Sequence, residues 1–139
     1  MGAISKKVNQ LVKKHGTNDP FKIAEAKGMI IRNVPLGKIL GFHARKSRVS
    51  IIHINENASS QQKIFICGHE LGHAVLHPEV NAPFLQSHTY YSTSKIEQEA
   101  NEFAVELLLS KEVVQPITIH EATESYGIPE QLLHKKFYS

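Results

Sequence analysis

The short stretch CGHELGHAVLHP, residues 67–78, contains three histidines and a glutamate at spacings that suit zinc chemistry. Within it, residues 69–73 match the pattern H-E-x-x-H. Residues four positions apart on a helix share one face, so His69 and His73 can bind one zinc ion. Glu70 can then reach a water molecule on that ion and act as a general base. The pattern therefore predicts hydrolysis at a zinc centre.

An alternative is that these histidines form the exposed face of a helix in a chain that contains 9 histidines. On a helical wheel of about 100° per residue, Leu71 and Val75 fall on one side and the histidines on the other. A surface helix normally exposes a mixture of charged residues, whereas this one would expose almost only histidine and glutamate. The wheel therefore favours a metal site.

His77 also follows the four-residue spacing, but a straight helix places it about 12 Å from His69 along the axis. Zinc binds imidazole nitrogens at about 2 Å, so three histidines in a row cannot share one ion. We therefore predict that His77 lies outside the coordination sphere and supports a ligand or the helix C-terminus. Cys67 lies well round the wheel from His69 and is predicted to fill the core.

A catalytic zinc needs a third protein ligand and an open position. The segment SKIEQEANEFAVELLLS, residues 94–110, predicts a second long helix with Glu97 as the one acid on its inward-facing stripe. Ala100 and Ala104 on the same stripe are small enough to admit a neighbouring helix. The remaining acids fall on the opposite side and are predicted to be solvated: Glu99, Glu102 and Glu106.

Glu97 has an alternative role, because Ser94 and Glu97 also have the spacing of a capping box. In that case Glu97 would only bond the backbone of Ser94. Asn101, one turn further on, can hydrogen-bond a ligating histidine and hold its ring. This second polar residue on the inner face favours Glu97 as the third ligand.

The rest of the chain must position these two helices. The patterns predict a helix ending at Gly16, a helix from Asp19-Pro20 to Gly28, strands at 29–34, 38–45 and 48–57, a helix at 59–77, a loop at 79–94, a helix at about 95–109 and two short C-terminal helices. This order predicts an α+β fold with a small, mostly antiparallel sheet. The 38–45 or the 48–54 strand is a candidate edge for an extended substrate.

Composition and length set broad limits on the protein. We expect a single domain, residues 1–139, with a core at about 1–110 and a helical tail at 111–139. The net charge of +3 comes without a dense basic run, so direct nucleic-acid binding is not indicated. No apolar run approaches the roughly 20 residues that span a bilayer. The single cysteine fits a cytoplasmic protein.

Two linked motifs resemble the ImmA/IrrE-type zinc metallopeptidases: SIIHINENASSQQKIFICGHELGHAVLHP and EQEANEFAVELLLS. The resemblance covers roughly residues 20–110. It implies that His69, His73 and Glu97 bind one zinc ion and that Glu70 is the general base, in agreement with the helical wheels. The family's second helix usually ends in Met-Pro, where this chain has Leu109-Ser110.

The resemblance also implies a substrate: a helix-turn-helix transcriptional repressor, cleaved to release the genes of a mobile element or a stress response. One alternative is a zinc-containing anti-repressor that binds its partner without proteolysis. Another is DNA binding by a C-terminal helix-turn-helix, because the tail has two helices around Gly127 and ends near Lys135-Lys136. A helical hairpin that covers the core is favoured over that second alternative.

Peptide hydrolysis can use a donor for the oxyanion in addition to the metal. His88, Tyr90 and Tyr91 precede Glu97 in the predicted loop and are candidates for that donor. The alternative, favoured for each one alone, is a surface loop with aromatic anchors.

Overall fold

The computed structural model describes residues 2–81, 83–85, 94–110 and 118–138. Its elements are, in chain order, α1 (Ala3–His15), α2 (Pro20–Ala26), β1 (Ile30–Val34), β2 (Ile39–Lys46), β3 (Val49–Asn55), α3 (Ser60–Leu76), β4 (Pro83–Leu85), α4 (Lys95–Leu108), α5 (Ile119–Tyr126) and α6 (Glu130–Tyr138). The predicted α+β fold is confirmed. In the ranges described, none of the helices combines the length and the apolar character needed to cross a bilayer.

Local capping residues fix several helix ends as the sequence predicts. Asp19 accepts hydrogen bonds from two backbone N–H groups at the start of α2, and Pro20 is the first helical residue. Ser59 and Gln62 form a complete capping box at the start of α3. These polar groups satisfy backbone donors that have no partner inside the helix.

The four strands form one mixed sheet in the order β1-β3-β2-β4. β2 is antiparallel to both β3 and β4, whereas β1 is parallel to β3. The prediction that the 38–45 or the 48–54 strand offers an open edge is wrong. Both strands have neighbours on each side, and the outer strands of the described sheet are β1 and β4.

Strand β4 lies inside the segment 79–94, which the sequence predicts as a loop. Three of the described residues pair with β2, and the first of them is Pro83, which cannot donate to a ladder. A strand this short shows no alternating pattern over the length that such a prediction needs. Its position at the edge of β2 is decided by packing.

Helix α3 is the centre of the fold, with β2 and β3 on one side and α4 on the other. Its middle turns, residues 65–73, are buried on every face. Glycine lets α4 approach closely: a Cβ atom at Gly72 would lie 3.1 Å from the Phe103 side chain, and one at Gly68 would lie 3.3 Å from the Ala104 Cβ. The histidine side of the helix therefore faces protein and not water.

The C-terminal helices pack on this core. Ala122, Ile128 and Leu133 are fully buried in the same apolar cluster as the residues of α3 and α4. Lys136 Nζ lies 2.6 Å from Glu106 Oε1 on α4. This packing corresponds to the favoured alternative, a helical hairpin that covers the core.

Candidate metal centre

The side chains of His69, His73 and Glu97 converge between α3 and α4. One potential ligand atom from each residue lies within 4.8 Å of the other two. All three residues are buried, with at most 2% of their surface exposed. The four-residue spacing on α3 aligns the imidazoles, and the first turn of α4 brings the carboxylate opposite them.

The Glu97 carboxylate faces the Nε2 atoms of both histidines. Its Oε1 lies 2.6 Å from Nε2 of His73 and 3.6 Å from Nε2 of His69. The Ser94 side chain makes no capping hydrogen bond at the start of α4. This geometry favours Glu97 as a member of the cluster over the capping-box alternative.

Two contacts hold the ring of His69. Its Nδ1 lies 2.8 Å from Oδ1 of Asn101, one turn after Glu97, so Nδ1–H donates to the amide oxygen. The Phe84 ring stacks on it with centroids 3.6 Å apart and planes within 6°. The amide contact follows the role predicted for Asn101, whereas Phe84 was missed. The sequence signal that could have found Phe84 was the pair of large apolar residues, Phe84 and Leu85, in a predicted loop that is otherwise mostly polar.

His73 is held by a different set of side chains. Its Nδ1 lies 3.1 Å from Nδ1 of His77, and the other ring nitrogen of His77 lies 2.9 Å from Oε1 of Glu99. His77 is the C-cap residue of α3 and lies outside the three-residue cluster. The prediction that Glu99 is an ordinary solvated charge is incomplete, because its side chain is 34% exposed but α4 places its carboxylate against His77.

Glu70 lies beside the cluster with its side chain fully buried. Neither carboxylate oxygen has a hydrogen-bond partner among the residues that the structure describes. Burial raises the pKa of Glu70 well above its usual range, and the negative charge of Glu97 adds to this. Gly41 on β2 is close to this carboxylate, since a Cβ there would lie 3.5 Å from Oε2 of Glu70.

The pKa shifts of two members of the cluster, His69 and Glu97, suit a metal ion. Burial lowers the pKa of His69, which favours the neutral imidazole. Burial would raise the pKa of Glu97, but the interactions of its carboxylate with the two adjacent histidines outweigh burial and hold the pKa well below its usual value. Neutral imidazoles and an ionised carboxylate are the forms that bind metals.

The buried polar atoms also fit a metal. Nε2 of His69 faces the cluster without a hydrogen-bond partner in the described part of the chain. Buried polar atoms are normally satisfied, so such an atom indicates a missing ligand. Two imidazoles and one carboxylate are the donor set of a catalytic zinc site with an open position. With Glu70 beside them, these residues form the set that is typical of metallopeptidases of the H-E-x-x-H class.

Comparison with known proteins identifies the family. The IrrE N-terminal-like domain, a peptidase family, matches residues 24–138. The chain is 39% identical over 137 residues to "Uncharacterized immunity region protein 2" of Bacillus phage phi105, covering 93% of this chain and 85% of that protein. It is 34% identical over 113 residues to "Metallopeptidase ImmA" of Bacillus subtilis (strain 168), covering 80% of this chain and 66% of that protein. The chain belongs to the ImmA/IrrE family of metallopeptidases.

The family match extends to residue 138, through α5 and α6, whereas the motifs alone indicated a resemblance over roughly residues 20–110. The departure at Leu109-Ser110 therefore does not end the match. The three candidate oxyanion donors, His88, Tyr90 and Tyr91, lie outside the described residues.

Proposed function

We propose that this protein is a zinc-dependent endopeptidase that cleaves a helix-turn-helix transcriptional repressor. The observation that carries the proposal is the buried cluster of His69, His73 and Glu97 with the carboxylate of Glu70 beside it. Burying several ionisable groups side by side is costly unless they are paired or bind a metal, and the pair of His73 and Glu97 leaves the buried Nε2 of His69 without a hydrogen-bond partner among the described residues. The family supports peptide-bond hydrolysis as the reaction class.

In this proposal His69 and His73 bind one zinc ion through Nε2, and Glu97 binds it through a carboxylate oxygen. Zinc, when bound, supplies Lewis acidity that polarises a carbonyl and lowers the pKa of a water molecule. The chain supplies the geometry. Asn101 keeps the proton of His69 on Nδ1, which leaves the Nε2 lone pair directed at the site.

Glu70 is the proposed general base. It takes a proton from the attacking water and then delivers it to the nitrogen of the leaving amine. A buried carboxylate without a hydrogen-bond partner in the described part of the chain suits this role, because a raised pKa makes it a better proton acceptor near neutral pH.

The outer strand β4 is the proposed position for the substrate backbone. It forms the edge of the described sheet next to β2, and its Phe84 stacks directly on His69. An extended peptide can add to such an edge through backbone hydrogen bonds. This placement replaces the edges proposed from the sequence, which the structure shows to be interior strands.

A repressor is the proposed substrate because the two sequence motifs resemble peptidases that act on repressors. The printed names of the relatives, an immunity region protein of a phage and a metallopeptidase, are compatible with this role. A substrate that acts on DNA also places the reaction in the cytoplasm. The proposal involves no direct contact between this protein and nucleic acid.

Incubating the zinc-loaded protein with repressors encoded beside its gene tests the proposal. We expect cleavage that a chelator abolishes and that Glu70→Gln slows by about 10²–10⁴-fold, the range for loss of a general base. Thermal unfolding and zinc content of the variant show whether it is folded and loaded. The products are identified by mass spectrometry.

Two other outcomes would support the alternatives. If Glu70→Gln relieves repression as well as the wild type does, the protein acts as an anti-repressor that binds its partner without cutting it. If the isolated protein binds duplex DNA and loses affinity as salt rises, the C-terminal helices act as a DNA-binding unit.

A further inference from the structure

We infer that His77 and Glu99 are positioning residues that fix the tautomer and orientation of His73. This inference rests on the proposed function, because it assigns His73 to the zinc ion through Nε2. His77 and Glu99 thus join the site although neither belongs to the predicted ligand set of His69, His73 and Glu97. Their role is exerted through His73 and requires no contact with the substrate.

The three side chains form a continuous hydrogen-bonded chain across two helices. His73 Nδ1 lies 3.1 Å from His77 Nδ1, and His77 Nε2 lies 2.9 Å from Glu99 Oε1. The first two residues belong to the end of α3 and the third to α4. These two hydrogen bonds therefore connect His73 to α4, the helix that carries Glu97.

Proton positions along this chain follow from the metal. A zinc ion on Nε2 of His73 requires the ring proton on Nδ1. That proton is donated to Nδ1 of His77, which must then accept. The proton of His77 is consequently on its Nε2 and is donated to Glu99, whose carboxylate can only accept. With the protons in these positions, His73 donates to His77 and His77 donates to Glu99, so each of the two hydrogen bonds has one donor and one acceptor.

The backbone places His77 for this contact. His77 is the C-cap of α3, and its φ of −134° and ψ of 58° depart from the helix. Its backbone N–H also donates to the carbonyl oxygen of His73 at 2.7 Å. Both the backbone and the side chain of His77 therefore contact His73.

Burial distinguishes this chain from an ordinary surface ion pair. The side chain of His77 is 12% exposed and that of Glu99 is 34% exposed. The exposed pair His120 and Glu124, by comparison, has side chains 82% and 69% exposed at 3.6 Å. Exposed pairs contribute little, whereas groups that orient a metal-binding histidine change metal affinity by about 10–100-fold.

Zinc affinity, measured by competition with a chromophoric chelator, tests the inference without requiring turnover. We expect His77→Ala to weaken zinc binding by about 10–100-fold. His77→Asn should restore most of the affinity, because its Oδ1 can accept the Nδ1 proton of His73. Glu99→Ala should weaken binding by a smaller factor. Glu102→Ala, an exposed acid on the same helix, is the matched control and should bind as the wild type does.

The double variant decides whether the residues act in series. If Glu99 acts through His77, Glu99→Ala should have no further effect when His77 is already alanine. An equal loss in both backgrounds would overturn the inference, and so would wild-type affinity in His77→Ala. Thermal unfolding of the metal-free variants shows that each is folded.

Long-range ¹H–¹⁵N NMR of the zinc-loaded protein gives an independent measurement. We expect the ring proton of His73 on Nδ1 and that of His77 on Nε2. A proton on Nδ1 of His77 would contradict the proposed chain. A wild-type protein that binds no zinc would instead contradict the proposed function, and cleavage of a repressor remains a separate measurement.

Discussion

The two zinc-binding histidines proposed here are supported in different ways. The inner half of the site consists of His69, Phe84 and Asn101, and its members are at most 5% exposed. The outer half consists of His73, His77 and Glu99, and its last side chain is 34% exposed. Both halves leave Nε2 directed at the cluster, but the inner half uses a neutral amide and the outer half a carboxylate.

The difference follows from the cost of burying charge. A carboxylate deep in the core loses its hydration, whereas an amide oxygen can accept the same proton at a lower desolvation penalty. At the edge of the protein water can still solvate Glu99, so a charged acceptor is tolerated there. Substitutions in the inner half should therefore lower both the free energy of unfolding and the zinc affinity. Substitutions in the outer half should mainly lower the zinc affinity.

Removing Glu97 should have the largest effect on zinc binding, because its carboxylate faces both halves. We expect Glu97→Ala to lower zinc affinity by more than the roughly 10–100-fold typical of outer supporting groups. Zinc content after dialysis, measured by mass spectrometry, gives the result. Glu102→Ala on the same helix is the control and should retain its zinc. Equal zinc content in the two variants would favour the capping-box role of Glu97.

Asn101→Ala should have the next largest effect and should affect both stability and zinc binding. It leaves the buried Nδ1–H of His69 without its acceptor, which costs about 1–3 kcal/mol in the free energy of unfolding. Zinc affinity should fall by about 10–100-fold. Denaturant unfolding and chelator competition measure the two quantities. If Glu99→Ala destabilises the metal-free protein as much, the distinction between the halves is wrong.

Phe84→Leu should have a smaller effect on the inner half. Loss of the stacked ring removes about 0.5–1.5 kcal/mol beyond the change in buried area, and it loosens His69 while leaving every hydrogen bond of the ring possible. We expect lower thermal stability and less than a tenfold loss of zinc affinity. Phe42→Leu is a matched control, because Phe42 stacks on His53 at 4.2 Å outside the cluster. Only the Phe84 variant should alter the visible spectrum of the cobalt-substituted protein.

Glu70→Gln should have the smallest effect on zinc affinity, because Glu70 is outside the proposed ligand set. The main effect of this substitution is on how the stability of the metal-free protein depends on pH. The pKa of Glu70 in the folded state is raised above its ordinary value of 4.5, so its stabilising contribution is complete below that pH and is lost as pH rises through the folded-state pKa.

The variant should therefore be more stable than the wild type at neutral pH and should approach it below about pH 4.5. Thermal unfolding of both proteins with a chelator, from pH 4 to pH 8, measures the difference. Comparing the two proteins cancels the titration of other groups, including Glu97, whose lowered pKa acts in the opposite direction. A constant difference across this range would show that folding does not raise the pKa of Glu70.

Several parts of the site could be predicted because they depend on residues close together in the chain. Helical periodicity aligned His69 with His73, and the same argument placed Glu97 and Asn101 on one stripe of α4. Periodicity also separated His77 from the cluster. The roles of these residues in metal binding and catalysis stay predictions until zinc binding and cleavage are measured.

Other parts could not be predicted because they depend on how distant segments pack. Strand β4 is too short to show a pattern, so the stacking of Phe84 on His69 was missed. Glu99 lies opposite Glu97 on the wheel of its own helix, and only the packing of α4 against α3 brings it to His77. The parallel pairing of β1 with β3 was not predicted, although the fold class was.

The sequence by itself determined the helices, their capped ends and which side chains share a helical face, because neighbouring residues decide these through backbone geometry. The tertiary structure decided which of those faces meet. Close packing of α4 against the glycines of α3 brought Glu97 to the two histidines, and the outer strand β4 closed over His69. Contacts between remote segments depend on the packing of the whole core, and no local pattern in CGHELGHAVLHP contains that information.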